Sequence, residues 1–255
     1  MCTLALGYRL FDETPLLVAA NRDEIYDRPS AEPYLEGGNP KFIAGRDRLA
    51  GGTWLGVNEN GLLAGILNRR SNGNPLQGAS QRSRGLLCMD LLCCKSAAAA
   101  ADFIGSHGVP YSPFIVVFAD TENAFAAYNQ NGRIHSRRLD AGLHVFSSVA
   151  EEDSGSPNKA DRARKQFAQA FTPPGDGGAG RGEWIAPLKN VLADHTLYGA
   201  SKDPGDALCV HRERSGTVSS SIVVFAQADR CFEMFYCPGP PCQNDFGSAV
   251  QLKVR

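Results

Sequence analysis

Paired apolar runs joined by short turn-forming clusters fill the first third of this chain, and they point to antiparallel sheet. Residues 2–10 and 16–22 are two such runs separated by Phe11-Asp-Glu-Thr-Pro15, a β-hairpin that starts almost at the first residue. A second hairpin is expected over 53–57 and 61–67. Its turn, Asn58-Glu59-Asn60-Gly61, ends in Asn-Gly, the dipeptide that most readily adopts the positive φ of a tight hairpin. Between the hairpins, residues 28–52 are rich in Pro and Gly and are expected as coil.

Helical patterning follows. Residues 84–105 carry Leu86, Leu87, Leu91, Leu92 and a run of five alanines, which predicts one helix. Strands are expected at 114–119 and 124–129, with a further candidate at His144-Val145-Phe146. Amphipathic helices are expected at about 158–171 and 183–193, and strands return at 207–211, 217–226 and 231–236. Hairpins in place of β-α-β alternation indicate an α+β layered fold with largely antiparallel sheets. No repeat is visible. The Gly- and Pro-rich stretch 172–182 is expected as an exposed loop within a single domain spanning 1–255.

Charge narrows the function classes. Among 255 residues, 26 Lys and Arg nearly balance 27 Asp and Glu, a formal charge of −1. Such a chain has no electrostatic reason to seek nucleic acid or anionic lipid. No apolar run reaches the roughly 18–20 residues that span a bilayer. The opening MCTLALGYRL lacks the charged and apolar regions of a secretion signal, so a soluble cytoplasmic protein is expected. Its eight cysteines have no framework spacing and are expected as free thiols. Cys237 and Cys242 flank Pro238-Gly-Pro-Pro241, with Cys231 and His211 upstream. That spacing reads as a stiff turn with small apolar side chains, and no metal or other cofactor is expected.

Cys2 is the most informative residue. Removal of Met1 is expected because the next side chain is small, and it would leave a thiol and a free α-amine on one residue. Their ordinary pKa values, about 8.5 and about 7.7–8.0, lie close to neutral pH, so nucleophile and general base come together. The alternative is a small apolar residue in the first strand. The hairpin partner ends in Ala19-Ala20-Asn21-Arg22-Asp23-Glu24, and antiparallel pairing returns that polar cluster to the start of the first strand. There a carboxylate can orient the amine and a guanidinium can favour thiolate, although the same residues could form a solvated loop. The second hairpin ends at Asn68, whose amide could donate to a developing oxyanion or simply cap a turn.

These elements together resemble the NRDE family, also called the transport and Golgi organisation 2 family. The matching stretches are Met1-Cys2-Thr3-Leu4, the run 19–24, Ala44-Gly45-Arg46-Asp47, and Gly51-Gly-Thr-Trp-Leu-Gly-Val-Asn-Glu-Asn-Gly61 leading to Leu67-Asn68. Beyond about residue 70 the match thins to Ser83-Arg84-Gly85 and 216–221. The family is similar in turn to the choloylglycine hydrolase and penicillin acylase branch of N-terminal-nucleophile hydrolases. That resemblance implies a four-layer αββα sandwich and cleavage of linear amides. It implies Cys2 as nucleophile, Asp23 as amine-binding carboxylate and Asn68 as an oxyanion donor. Two positions depart from the branch. Ala20 stands where it has an arginine, a place Arg22 is expected to fill, and Ser147 and Ser148 stand where it has a second amide.

Several further residues combine a candidate role with a plainer one. Asn21, Ser147 and Arg214 are expected to contact substrate, with Arg214 adding positive charge. Trp54 either lines the pocket or packs beneath its hairpin. His211 reads as structural. The run Ser219-Ser220-Ser221 lacks a nucleophile elbow and is expected on a strand facing Cys2. The Gly-rich stretches lack the lysine of a phosphate loop. Two functions follow. The first is an amidohydrolase or acyltransferase acting through a Cys2 acyl-enzyme on a small molecule. The second is a non-catalytic carrier of the same fold for a lipid, acyl-CoA or haem-like ligand. Oligomeric state is left open.

Overall fold

A computed structural model describes residues 2–69, 82–106, 110–130, 133–148, 159–172, 183–197 and 201–255. The expected loop 172–182 therefore falls almost wholly outside the described residues. The chain divides into two compact units, residues 1–27 with 141–249 and residues 28–140 with 250–255.

In the first unit, β1 (Thr3–Tyr8) and β2 (Leu16–Ile25) form the expected opening hairpin, with Thr3 opposite Asn21. They lie inside an antiparallel sheet with β10 (Gly142–Ser147), β11 (Ser215–Ala226) and β12 (Cys231–Cys237), in the order β10-β1-β2-β11-β12. Side chains alternate faces along each strand. One face presents Ala5, Leu17, Ala19, Val145, Ile222 and Val224 to α3 (Lys159–Ala170) and α4 (Ile185–Leu192). Phe167, Phe171, Trp184 and Leu188 complete that core. Phe167 is fully buried, and a side chain of its size contributes about 1.5–3 kcal/mol when removed from water.

The second unit is a seven-stranded antiparallel meander. Its strands run in chain order: β3 (Ser30–Glu36), β4 (Phe42–Asp47), β5 (Leu55–Asn58), β6 (Leu63–Asn68), β7 (Phe114–Ala119), β8 (Ala124–Gln130) and β9 (Arg133–Arg138). Helices α1 (Arg84–Leu92) and α2 (Ala97–Ser106) cover one face, burying Leu87, Leu91, Ile104 and Phe118 among others. A last strand, β13 (Val250–Lys253), packs beside β3 and β4. The expected Asn58–Gly61 turn closes with Gly61 at φ +89°. Buried Asn58 locks that turn. Its Oδ1 accepts from the Asn60 and Leu62 amides at 2.9 and 3.0 Å, and its Nδ2 donates to the Leu92 and Cys94 carbonyls at the end of α1.

Three expectations need correction. Residues 28–52 are not coil but contain β3 and β4. Pro33 sits in edge strand β3, where a missing amide is tolerated, and the pairing shifts register between Ala31 and Tyr34. Residues 84–105 form two helices, because the Cys93 and Cys94 amides turn back to the Asp90 and Leu91 carbonyls. Ser96 then starts the next helix by accepting from the Ala99 amide. Residues 207–211 form no strand. A single bridge joins His211 to Gly216. No helix among the described residues is long and apolar enough to cross a membrane.

Candidate active site

The register of the first sheet gathers the polar residues at one end. Thr3 is flanked by Ser147 on β10 and Asn21 on β2, so Cys2, one residue earlier, emerges between Ser148 and the Arg22–Asp23 segment. The Cys2 nitrogen donates to Ser148 Oγ at 2.9 Å, and Sγ lies 3.7 Å from the Asp23 carbonyl oxygen. Cys2 is half-buried, whereas Arg22, Asp23 and Ser148 are buried.

The Asp23 carboxylate is anchored from the far side. Thr217 on β11 donates to Asp23 Oδ1 at 2.7 Å while accepting from the Val210 amide at 2.9 Å. Burial pushes the Cys2 thiol above its ordinary value, and the Asp23 carboxylate pushes it further. The positive N-terminus, the hydrogen bond to the Asp23 carbonyl and the Arg22 guanidinium pull the other way but do not prevail.

Asn21 is placed differently from its neighbours. Its side chain points to the helical face, where Nδ2 donates to the Leu192 and Leu208 carbonyls at 2.8 and 2.9 Å. Its Oδ1 accepts from Ser220 at 2.6 Å. Both amide protons are thus spent on the protein itself. Ser220 shares that face, while Ser219 and Ser221 alternate to the other, opposite Arg22 and Ala20. The buried hydroxyls of Ser219 and Ser221 have no hydrogen-bond partner among the described residues. Ser147 is buried beside Thr3, and Arg214 is exposed next to β11, its carbonyl accepting from the Tyr26 amide.

Asn68 and Trp54 belong to the second unit. Asn68 closes β6 opposite Phe114 with an exposed side chain. Trp54 packs on Gly45, where an added Cβ would come within 2.5 Å of the ring. Gly45 belongs to the run Ala44-Gly45-Arg46-Asp47, whose charges are structural. Arg46 pairs with Glu36 at 2.5 Å, and Asp47 pairs with Arg28 at 2.6 Å while capping the Leu49 and Ala50 amides.

Lys159 is the residue that sequence reasoning missed. It opens α3, is buried, and reaches the Gly205 carbonyl at 3.4 Å. Burial lowers its pKa, while the negative charges of Asp23, Cys2 and Asp206 pull it up and Arg212 reinforces the lowering. A polar residue at the start of an amphipathic helix normally signals solvent, so nothing local marked it.

A sequence profile of the Transport and Golgi organisation 2 family matches residues 1–235. The chain belongs to that family. It is 34% identical to the mouse Transport and Golgi organization 2 homolog over 145 residues, 54% of this chain and 51% of the mouse protein. The chain spans about half the length of the curated relatives it matches. Its fold is similar to penicillin V acylase from Agrobacterium tumefaciens, with a TM-score of 0.59 at 13% identity over 91% of this chain and 82% of that one. It is also similar to a Caenorhabditis elegans ortholog of N-acylethanolamine-hydrolyzing acid amidase, with a TM-score of 0.53 at 12% identity over 88% and 92% of the two chains. At such identities the likeness shows the fold: α+β, the αββα sandwich of N-terminal-nucleophile hydrolases.

Proposed function

We propose that this member of the family is an N-terminal cysteine amidohydrolase or acyltransferase acting on a small linear amide or acyl substrate. One observation carries the reading. The nitrogen and sulfur of Cys2 stand together at the end of the central hairpin, with Ser148 Oγ on the nitrogen and the Arg22–Asp23 segment beside the sulfur. Freed of the preceding residue, that nitrogen becomes an amine with an acceptor already in place.

In the proposed reaction the α-amine takes the thiol proton and the thiolate attacks the substrate carbonyl carbon. The carbonyl π electrons move to oxygen, which backbone amides stabilise. Collapse expels the amine, which leaves with the proton held by the α-ammonium, and a thioester remains on Cys2. Water, or an acceptor amine in acyl transfer, then gives a proton to the α-amine as it attacks the thioester; the carbon–sulfur bond breaks, the acid or new amide leaves, and the thiolate takes the proton back from the α-ammonium. Asp23 orients the α-amine. Arg22 supports the thiolate or receives a substrate carboxylate. The unpartnered Ser219 and Ser221 hydroxyls on the Arg22 face are suited to polar atoms of the ligand. Arg214 is proposed as a further substrate contact.

A second reading, a binding protein without chemistry, is favoured by Ala20 and Ser147, which stand where the hydrolase branch has an arginine and an amide. Incubation with an electrophilic acyl probe, followed by peptide mapping, separates the two. The enzyme reading predicts an adduct on Cys2 that Cys2→Ala abolishes. Labelling unchanged in Cys2→Ala removes the nucleophile.

A further inference from the structure

Four side chains outside the Cys2 site converge near the end of α4: His195, Cys209, His211 and Cys242. Their ligand atoms all lie within 4.8 Å of one another. Cys209 Sγ is 3.7 Å from both Cys242 Sγ and His211 Nε2, and His211 Nε2 is 3.3 Å from Cys242 Sγ. Zinc bonds of about 2.3 Å to sulfur and about 2.0–2.1 Å to nitrogen place tetrahedral ligands about 3.8 Å apart for two sulfurs and about 3.6 Å for sulfur and nitrogen. The spacings among Cys209, His211 and Cys242 lie close to that tetrahedron, with His195 within 4.8 Å of all three. They exceed the sulfur–sulfur bond of a disulfide, about 2.05 Å, by a wide margin.

The surroundings prepare the same geometry. His195 Nδ1 lies 3.0 Å from the Cys209 carbonyl oxygen, the backbone contact that fixes an imidazole with Nε2 available as ligand. The two imidazole rings approach to 5.0 Å between centroids. The Cys209 amide donates to the Asp194 carbonyl at 2.9 Å, tying the segment after α4 to 207–211. Cys242 is held by the turn after β12, where the Gln243 and Asn244 amides and the Asn244 side chain all donate to the Pro240 carbonyl. The turn expected around Cys237 and Cys242 is therefore present, but its two cysteines part. Cys237 is buried with its thiol toward the Gly239 carbonyl, and Cys242 is exposed.

We propose that His195, Cys209, His211 and Cys242 bind one zinc ion through two thiolates and two imidazoles. The two thiol protons pass to solvent as the metal binds. Four protein ligands close the coordination sphere, so the ion is structural. The cross-link it makes lies beside the Leu192 and Leu208 carbonyls that hold Asn21 and the Val210 amide that holds Thr217. The ion therefore fastens the wall behind Asp23 whatever chemistry occurs at Cys2.

The test uses the full chain purified under reducing conditions, loaded with zinc and freed of excess metal. Elemental analysis should find about one zinc per chain, and cobalt substitution should give the thiolate charge-transfer and intense d–d absorption of a tetrahedral site. Chelation should lower the melting temperature and zinc should restore it. Cys242→Ser and His195→Gln, both at exposed positions, should each lose the metal, whereas Cys93→Ser, at an exposed cysteine elsewhere, should retain it. Failure of the reduced chain to bind zinc, or equal retention in the Cys242 and His195 variants, overturns the proposal.

Discussion

Thr217 and Asp23 meet across β11 and β2 through a buried 2.7 Å hydrogen bond from hydroxyl to carboxylate, and the same hydroxyl accepts from the Val210 amide. Thr217→Val keeps the shape but removes both contacts, leaving the Val210 amide buried without that acceptor and the Asp23 carboxylate without that donor. Each such group costs about 1–3 kcal/mol. The variant should melt several degrees lower, at about 2–4 °C per kcal/mol for a chain of this size. Its Cys2 should also react more slowly with an acyl probe. Thermal unfolding and labelling rates check both, and an unchanged labelling rate would separate Thr217 from the thiol's chemistry.

The charges flanking Cys2 make a two-signed prediction. Asp23 raises the thiol and Arg22 lowers it, both acting on a group that burial has already raised. In the chain that retains Met1, where the thiolate is the reactive form, alkylation of Cys2 should accelerate with pH above the ordinary thiol range. Asp23→Asn should move that profile to lower pH and Arg22→Gln to higher pH. Alkylation followed across pH by mass spectrometry reads the shifts, and movement of both variants in one direction contradicts the assignment.

Lys159 should destabilise the fold at neutral pH. Its folded-state pKa is lowered by burial, so the unfolded chain binds the proton more tightly and the folded state bears the cost below both values. Lys159→Met should therefore raise the melting temperature near pH 7. The gain should shrink as pH approaches about 10.4, where the unfolded lysine also loses its proton. A gain that grows with pH would refute this.

How much of this was legible beforehand depends on the range of the interactions. The opening hairpin and the Asn58–Gly61 turn are local, so alternation and turn residues sufficed to find them, and the return of 19–24 to Cys2 followed from antiparallel register alone. β3 was hidden by Pro33 and by side chains that, Pro33 apart, are exposed or half-buried and lend it no apolar alternation. The break at Cys93–Ser96 was masked by the alanine run after it. Of the proposed zinc ligands, the spacing around the prolines groups Cys242 and His211 with Cys237 and Cys231, whereas His195 and Cys209 come from other segments and carry no local signal.

Asn21 illustrates the difference between proximity and access. Its neighbours Arg22 and Asp23 flank Cys2, yet its own amide holds Leu192, Leu208 and Ser220 together. Asn21→Ala should lower stability by about 1–3 kcal/mol for each buried group left unpaired. Chemical denaturation measures that loss. A variant as stable as the parent but unable to bind ligand would place Asn21 in the pocket after all.

The central claim is that Cys2 works as a freed terminal residue, its amine serving its own thiol. Intact-mass measurement of the purified protein tests this directly. The account predicts a chain beginning at Cys2 with an unmodified amine. A chain that retains Met1, or whose Cys2 nitrogen is acylated, would contradict it.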